Sequence, residues 1–260
     1  MNARSSTDQE YIPSLEKGLA VIELFSAEAP ELTLSQIARE LNLTPGSARR
    51  VLCTLEALGY LKCEENRFSL TPRVLQLGFA YLSSQPLAKV VQPILMDIAI
   101  KLQVNCSVAV LDETDVVYVA RATYRYIKRE RDYVALGSRF PAHATSPGKV
   151  LLAALPDEEL RRRYKDTTLE AFTPSTISSL KELRAELAKV REQGYAINDQ
   201  ETFLGLRSLA IPLRIDNHTV AALVAASKVG QVTVSGLIRD HLPVLRAASD
   251  RLAQLAAALL

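Results

Sequence analysis

Two guanidiniums stand side by side at Arg49-Arg50, in a stretch that opens Thr44-Pro45-Gly46-Ser47-Ala48 and continues to Cys53-Thr54. On a helix, these residue types suit the groove of a nucleic acid. Arginine pairs bidentately with guanine, a hydroxyl serves a base edge or a phosphate, and a small alanine packs on a thymine methyl. Thr44 is a natural N-cap, and Pro45 takes the first helical position, where its missing N–H costs nothing. Gly46 and Ser47 keep the helix end slim, so that free backbone N–H groups can approach a phosphate. The candidate contacts are Thr44, Ser47, Ala48, Arg49, Arg50 and Thr54, joined by Arg67 farther along.

Such a helix must be positioned by others, and the flanking sequence supplies them. From Ser14, the residues Leu15, Leu19, Ile22 and Phe25 recur at three- and four-residue spacing and form one apolar face, which Ala29-Pro30 ends. Thr33-Leu34-Ser35-Gln36 reads as a capping box opening a short helix to about Leu41. Asn42-Leu43 makes a tight turn, and the helix from Thr44 runs to about Leu58, with Gly59 as its stop. Tyr60–Lys62 and Arg67–Leu70 flank the polar turn Glu64-Glu65-Asn66 as a small hairpin, with Arg67 just past its tip. Helix, short helix, turn, helix and hairpin is the order of a winged helix-turn-helix, whose third helix enters the major groove.

A further helix starts at Thr71-Pro72 and ends before Pro86. Beyond it the pattern changes to a helix over Val90–Leu102, strands at Ser107–Leu111 and Val116–Ala120, and then alternating helices and strands. Ser208–Ile215 and Val220–Ala226 flank a turn at Asp216-Asn217-His218, a charged helix runs from Ser179 to Gly194, and an apolar-faced helix follows Ile238. The fold class is α+β. The expected boundaries are a winged helix-turn-helix over 11–71, a connector helix over 72–86, and a second domain over 87–260 built on an antiparallel sheet.

Composition supports this reading and narrows it. The chain has 260 residues, 48% hydrophobic and 23% charged, with a net charge of +2. That is ordinary globular composition, and +2 alone argues for no nucleic acid. Residues 1–73 hold eight Lys or Arg against ten Asp or Glu, whereas residues 45–73 hold five against three. No apolar run approaches the ~20 residues that span a bilayer, so no membrane association is expected and the chain is placed in the cytoplasm. Cys53, Cys63 and Cys106 are too few and too far apart for a disulfide framework, and His143, His218 and His241 lie far from one another and from the cysteines. Neither a metal nor a cofactor is implied. A nucleophile elbow, a phosphate loop and a dinucleotide fingerprint are all missing from the sequence, so it is not read as an enzyme.

Several stretches resemble the IclR family of bacterial transcriptional regulators. They are Ser14–Ile22, Leu32–Ala38, Leu55–Leu61, Phe68–Pro72, Ala135–Thr145, Gly148–Ala153, Phe172–Thr176, Gly194-Tyr195 and Gly205–Pro212, in order along nearly the whole chain. Arg67–Ser84, with Val117–Arg121, is most similar to the branch that regulates protocatechuate and 4-hydroxybenzoate breakdown. The resemblance implies a GAF-like effector-binding second domain and a dimer, or dimer of dimers, on a palindromic double-stranded operator. It also implies control by a small organic acid, with RNA polymerase as a further candidate partner. It would place His143, Ser146, Pro147, Asn198, Glu201, Leu206 and Ser208 at the effector. Val224 and Ala226 are serine in some members that take very small keto acids; their apolar character here favours an acid with a hydrophobic, aromatic body. Arg121 and Arg207 are candidate carboxylate partners through guanidinium fork geometry.

Bland readings stand beside these. Arg121 and Arg207 could make inter-strand ion pairs, His143 could be a satisfied structural histidine, and the basic run Arg125–Arg131 reads as a solvated hairpin. The rival functions are a protein-interaction adaptor built on the winged helix and a small-molecule enzyme built on the second domain.

Overall fold

The computed structural model describes residues 11–84, 86–124 and 134–257, so the N-terminal arm and the whole basic run over 125–131 lie outside the described residues. The chain divides into two compact units between Leu82 and Ser83.

The first unit holds α1 (Pro13–Glu23), β1 (Leu32–Thr33), α2 (Leu34–Glu40), α3 (Pro45–Ala57), β2 (Leu61–Glu64) and β3 (Arg67–Leu70). A 3₁₀ turn at Pro72–Val74 leads into α4 (Leu75–Ser84). The capping box is present: Thr33 Oγ1 accepts from the Gln36 N–H at 3.3 Å, and Gln36 Oε1 accepts from the Thr33 N–H at 2.8 Å. Asn42 adopts φ 51°, a left-handed value that asparagine tolerates. That conformation closes the α2–α3 turn, with the Leu43 N–H reaching Ala38 O at 2.8 Å. Gly59 at φ 76° stops α3, and Thr71 Oγ1 donates to Gly59 O at 2.6 Å, tying the end of the hairpin back to α3. Val21, Ile37, Leu52, Leu55 and Leu61 meet in one core beneath α1, α2 and α3. Each such side chain, once buried, contributes roughly 1.5–3 kcal/mol.

The hairpin differs from expectation in the bounds of its first strand and turn. Glu64 belongs to β2, and the turn is the two-residue Glu65-Asn66, with both residues at positive φ (49° and 63°). That is the turn geometry whose twist matches paired strands. A third strand, β1, pairs with β3 through Leu32↔Phe68, giving the order β1-β3-β2.

The second unit begins in α5 (Pro86–Leu102), four residues earlier than its apolar periodicity suggests. It continues through β4 (Asn105–Asp112), β5 (Asp115–Ala122), β6 (Arg139–Pro141), α6 (Ser146–Ala153), α7 (Asp157–Arg163), α8 (Leu180–Gln193) and β7 (Ala196–Asp199). It ends with β8 (Leu206–Ile215), β9 (His218–Lys228), α9 (Val234–Gly236), a π-helical turn at Leu237–His241, and α10 (Leu242–Ala257). The sheet runs β6-β5-β4-β9-β8-β7, and every neighbouring pair is antiparallel.

Alternation along these strands sorts two cores onto two faces. Cys106, Val108, Leu209, Ile211, Leu223 and Ala225 face α5 and α10. Ala109, Tyr118, Ala210, Ala222 and Val224 face α6 and α8. The result is three layers, helices on both faces of one antiparallel sheet, as the α+β expectation had it. Among the described residues, no helix is long and apolar enough to cross a membrane.

Candidate functional site

The N-terminal candidate is the outer face of α3. Pro45, Gly46, Arg49, Arg50, Cys53 and Thr54 are exposed, while Ala48, Leu52 and Leu55 are buried at helical spacing. Ala48 therefore corrects its expected role: it is fully buried, packs inward, and cannot present its methyl to a groove. Ser47 is half-buried, and its N–H is received by Thr44 Oγ1 at 3.2 Å, so the Thr44 hydroxyl caps the helix. Thr54 Oγ1 donates to Arg50 O at 2.8 Å, which uses its only proton and leaves it an acceptor.

Arg67 is exposed on β3 directly across from Glu64, and Glu31 and Glu65 line the same hollow. Glu64 also pairs with Lys62 at 2.9 Å. The tip of the wing is thus more acidic than Arg67 alone suggests, which weakens its expected role on a phosphate.

The second candidate lies on the face of the large sheet that carries α6. Strand register aligns Arg121, Ser107, Val224, Ala210 and Ala196 in one row, and Asn105, Ala226, Ser208 and Asn198 in the next. Of the residues expected here, this brings together Arg121, Asn198, Ser208, Val224 and Ala226. Leu206, two residues before Ser208 on β8, shares its face and is half-buried. Ser146, the first residue of α6, is buried, and its Oγ lies 2.7 Å from Ser208 Oγ.

α6 sits unusually close to the preceding chain. A Cβ at Gly148 would collide with the backbone of Ala142, so only glycine allows this approach. The cluster of free N–H groups at the start of α6 is smaller than expected. Pro147 has none, Thr145 Oγ1 receives the Gly148 N–H at 3.0 Å, and the Lys149 N–H reaches Thr145 O at 3.0 Å. Ser146 alone offers its N–H.

Two residues expected at the effector brace the site from behind. Asn198 Nδ2 donates to Ala144 O at 2.7 Å and to Thr202 Oγ1 at 2.8 Å, while its Oδ1 accepts from the Glu201 N–H at 3.0 Å. Glu201 Oε1 is paired with Lys149 Nζ, and its Oε2 is buried without a partner. Burial raises the Glu201 carboxyl above its ordinary value, against the opposing pull of Lys149.

His143 is also held structurally. Its Nε2 lies 3.0 Å from Glu170 O and so carries the proton, and its ring stacks with Phe172 at 6.2 Å. Burial lowers its pKa from the ordinary 6.5.

Arg207 is a correction. Alternation places it with Leu209 on the opposite face of the sheet, and it grips Asp199 through two bonds of 2.9 Å while donating to Val232 O at 2.7 Å. It is an inter-strand ion pair, not a carboxylate receptor for the α6 face.

Residues absent from the sequence reading complete this surface. Ser107 is a buried hydroxyl between Arg121 and Val224. Tyr118 meets Phe140 edge-on at 6.1 Å, and Phe140 meets Phe203 edge-on at 5.7 Å. A serine interrupting the apolar run of β4 is a readable signal for Ser107; the aromatic contacts depend on tertiary packing. Among the described residues, no group of three or more His, Cys, Asp or Glu is placed to hold a metal.

An exposed Arg-bearing third helix gives the first unit the form of a DNA reader, and the second unit carries a half-apolar, hydroxyl- and guanidinium-edged face. Comparison with known proteins agrees. Residues 14–64 match the IclR helix-turn-helix domain, and residues 79–254 match the bacterial transcriptional regulator IclR C-terminal domain. The chain is similar to the Pca regulon regulatory protein of Pseudomonas putida, at 40% identity over 93% of this chain and 83% of that one. It is similar to the p-hydroxybenzoate hydroxylase transcriptional activator of Acinetobacter baylyi, at 37% identity over 95% and 93%. The inducer-binding domain of PobR from Acinetobacter, a double mutant solved with 3-hydroxybenzoic acid, superposes with a TM-score of 0.58. It shares 34% identity over 64% of this chain and 96% of that one. The chain belongs to the IclR family of bacterial transcriptional regulators, in the branch of the Pca and p-hydroxybenzoate regulators.

Proposed function

We propose that this regulator binds its operator through Arg49 and Arg50 on α3 and is switched by a small aromatic acid held on the α6 face of the second unit. One observation carries the effector reading. Arg121, the Tyr118 ring, the apolar Val224 and the hydroxyls of Ser107 and Ser208 share one face of the sheet, and the Ser146 hydroxyl of α6 meets Ser208 there. A guanidinium forks onto a carboxylate, a ring wall and apolar floor accept an aromatic body, and the hydroxyls and the Ser146 N–H serve further polar substituents. The PobR domain solved with 3-hydroxybenzoic acid supports the same chemistry. Binding and release, with no turnover, suffice for this role.

The acting form is a dimer. Leu75 and Phe79 on α4 are 71% and 70% exposed, and Leu77 and Tyr81 are exposed beside them. Apolar exposure of that extent on one helix is what a second copy would cover. Effector binding changes operator affinity to the extent that it distinguishes the two states of this dimer.

A thermal-shift series with 4-hydroxybenzoate, protocatechuate and pyruvate tests the effector class. Ligand at 100 times its Kd adds about 2.7 kcal/mol to stability. The aromatic acids are expected to raise Tm and pyruvate to leave it unchanged; stabilisation by pyruvate alone would overturn the aromatic reading. A mobility shift on the DNA upstream of the protein's own gene, weakening steeply with salt, tests operator binding.

A further inference from the structure

Lys149 is the feature of the molecule that the functional reading does not use. Among the described residues its side chain is the largest of those fully buried, at 1% exposure. A lysine in such a place is expensive unless its ammonium is paired. Here Nζ donates to Ile197 O on β7 at 3.1 Å and is paired with Glu201.

Glu201 is held in turn on several sides. Its N–H goes to Asn198 Oδ1, and its carbonyl receives Thr176 Oγ1 at 2.5 Å. Thr202 Oγ1 and Asn198 Nδ2 both reach Ala144 O, at 2.6 and 2.7 Å. Ala144 lies two residues before Ser146, and Lys149 lies three residues after it. The corner 198–202 therefore grips the chain on both sides of Ser146, at Ala144 just before α6 and at Lys149 within it. The next residue, Phe203, belongs to the ring wall with Phe140.

We propose that the Lys149–Glu201 pair is a positioning device for the effector site: it fixes the rotation and depth of α6, and so the placement of Ser146 against Ser208, without touching the ligand. This rests on the effector reading above. Its physical logic is directional. An apolar side chain at position 149 would fill the same volume, but it would leave α6 free to turn or slide against β7. The pair specifies one setting, and α6 carries one free N–H and one of the three hydroxyls of the site.

The test uses the full-length protein and three acids, 4-hydroxybenzoate, 3-hydroxybenzoate and benzoate, titrated by calorimetry well below Tm. Replacing both partners with apolar residues (Lys149→Met with Glu201→Leu) removes both charges together, and such replacement commonly preserves or raises stability. The double variant is expected to keep a Tm near wild type, to bind 4-hydroxybenzoate at least tenfold more weakly, and to discriminate less among the three acids. A pair that only stabilised the fold would leave Kd and discrimination unchanged, and that result overturns the proposal.

Should the double variant fail to fold, Glu201→Gln replaces it, keeping an oxygen to accept from Lys149 Nζ while removing the charge. A loss of at least threefold in affinity with narrowed discrimination supports the proposal, and wild-type values overturn it. If the wild-type protein binds none of the three acids, the effector reading falls and this inference with it. Wild-type binding with unaltered variants sinks this inference alone.

Discussion

Tyr118 and Arg121 lie three residues apart on β5, yet both side chains belong to the α6 face of the sheet. Side chains alternate along a regular strand, so residues three apart would face opposite ways. Here Val108 pairs with Ala120 and Ala109 with Tyr118, which leaves Val119 as an extra residue. That β-bulge brings a ring and a guanidinium onto one surface, and bulges are a recurrent way of re-aiming side chains near functional sites.

Arg121→Lys separates charge from geometry at this surface. Lysine keeps the charge but loses the planar two-donor fork. Hydrogen bonds to charged groups are worth about 1.5–3 kcal/mol, so the Kd for 4-hydroxybenzoate should rise roughly 10- to 150-fold. Calorimetric titration measures this directly. An affinity within twofold of wild type would remove Arg121 from the site.

The hydroxyls of Ser146 and Ser208 make a cleaner pair, because both residues are buried and 2.7 Å separates their oxygens. Replacing either with alanine leaves the other unpaired, at a cost of roughly 1–3 kcal/mol. Replacing both should cost less than the sum. Urea unfolding of the two single variants and the double variant gives the coupling energy. Additive losses would show that the two hydroxyls do not support each other in solution.

How far these features could be read from the sequence follows from the range of their causes. Thr33 with Gln36, Thr44 with Pro45, and the stop at Gly59 are set by neighbours within four residues, and each forms as the local chemistry requires. The inward face of α3 was equally legible, since Ala48, Leu52 and Leu55 follow helical spacing. Only the suitability of alanine for a groove obscured it. The side taken by Arg207 also followed from its alternation with Leu209 and Ile211. In contrast, β1 is two residues long and exists because it meets β3 more than thirty residues later. The Val119 bulge is set by pairing with β4, and the Asn198–Thr202 brace by contacts with Ala144, just before α6 and more than fifty residues away. No local pattern encodes those.

His143 predicts a pH dependence of folding. Burial holds its pKa below the ordinary 6.5, so the folded protein keeps it neutral while the unfolded chain takes up a proton. Stability is therefore complete above about pH 6.5 and declines as pH falls through that value towards the folded pKa, with a slope of at most about 1.4 kcal/mol per pH unit from this group. His241, also buried with a lowered pKa, adds in the same direction. Urea midpoints measured from pH 7.5 to 5 should fall for the wild type and fall less for His143→Gln. Parallel curves for the two proteins would show that His143 contributes nothing to the decline.

The DNA-binding unit predicts a division of labour between α3 and the wing. Arg49 is exposed one helical turn before Cys53, on the face that Gly46 leaves open. If it reads a base, Arg49→Ala should lose about 1–3 kcal/mol on the operator while sparing random DNA. Arg67 sits among Glu31, Glu64 and Glu65, whose charges oppose approach to a phosphate backbone. Each phosphate that a protein ceases to neutralise on duplex DNA lowers the salt slope of binding by about 0.9. Arg67→Ala should change that slope by much less, whereas Glu64→Gln with Glu65→Gln should tighten binding to operator and random DNA alike. Fluorescence anisotropy at several salt concentrations separates the two effects. Equal losses on operator and random DNA for Arg49→Ala would deny it a base, and a slope change of about 0.9 for Arg67→Ala would put the wing on the backbone after all.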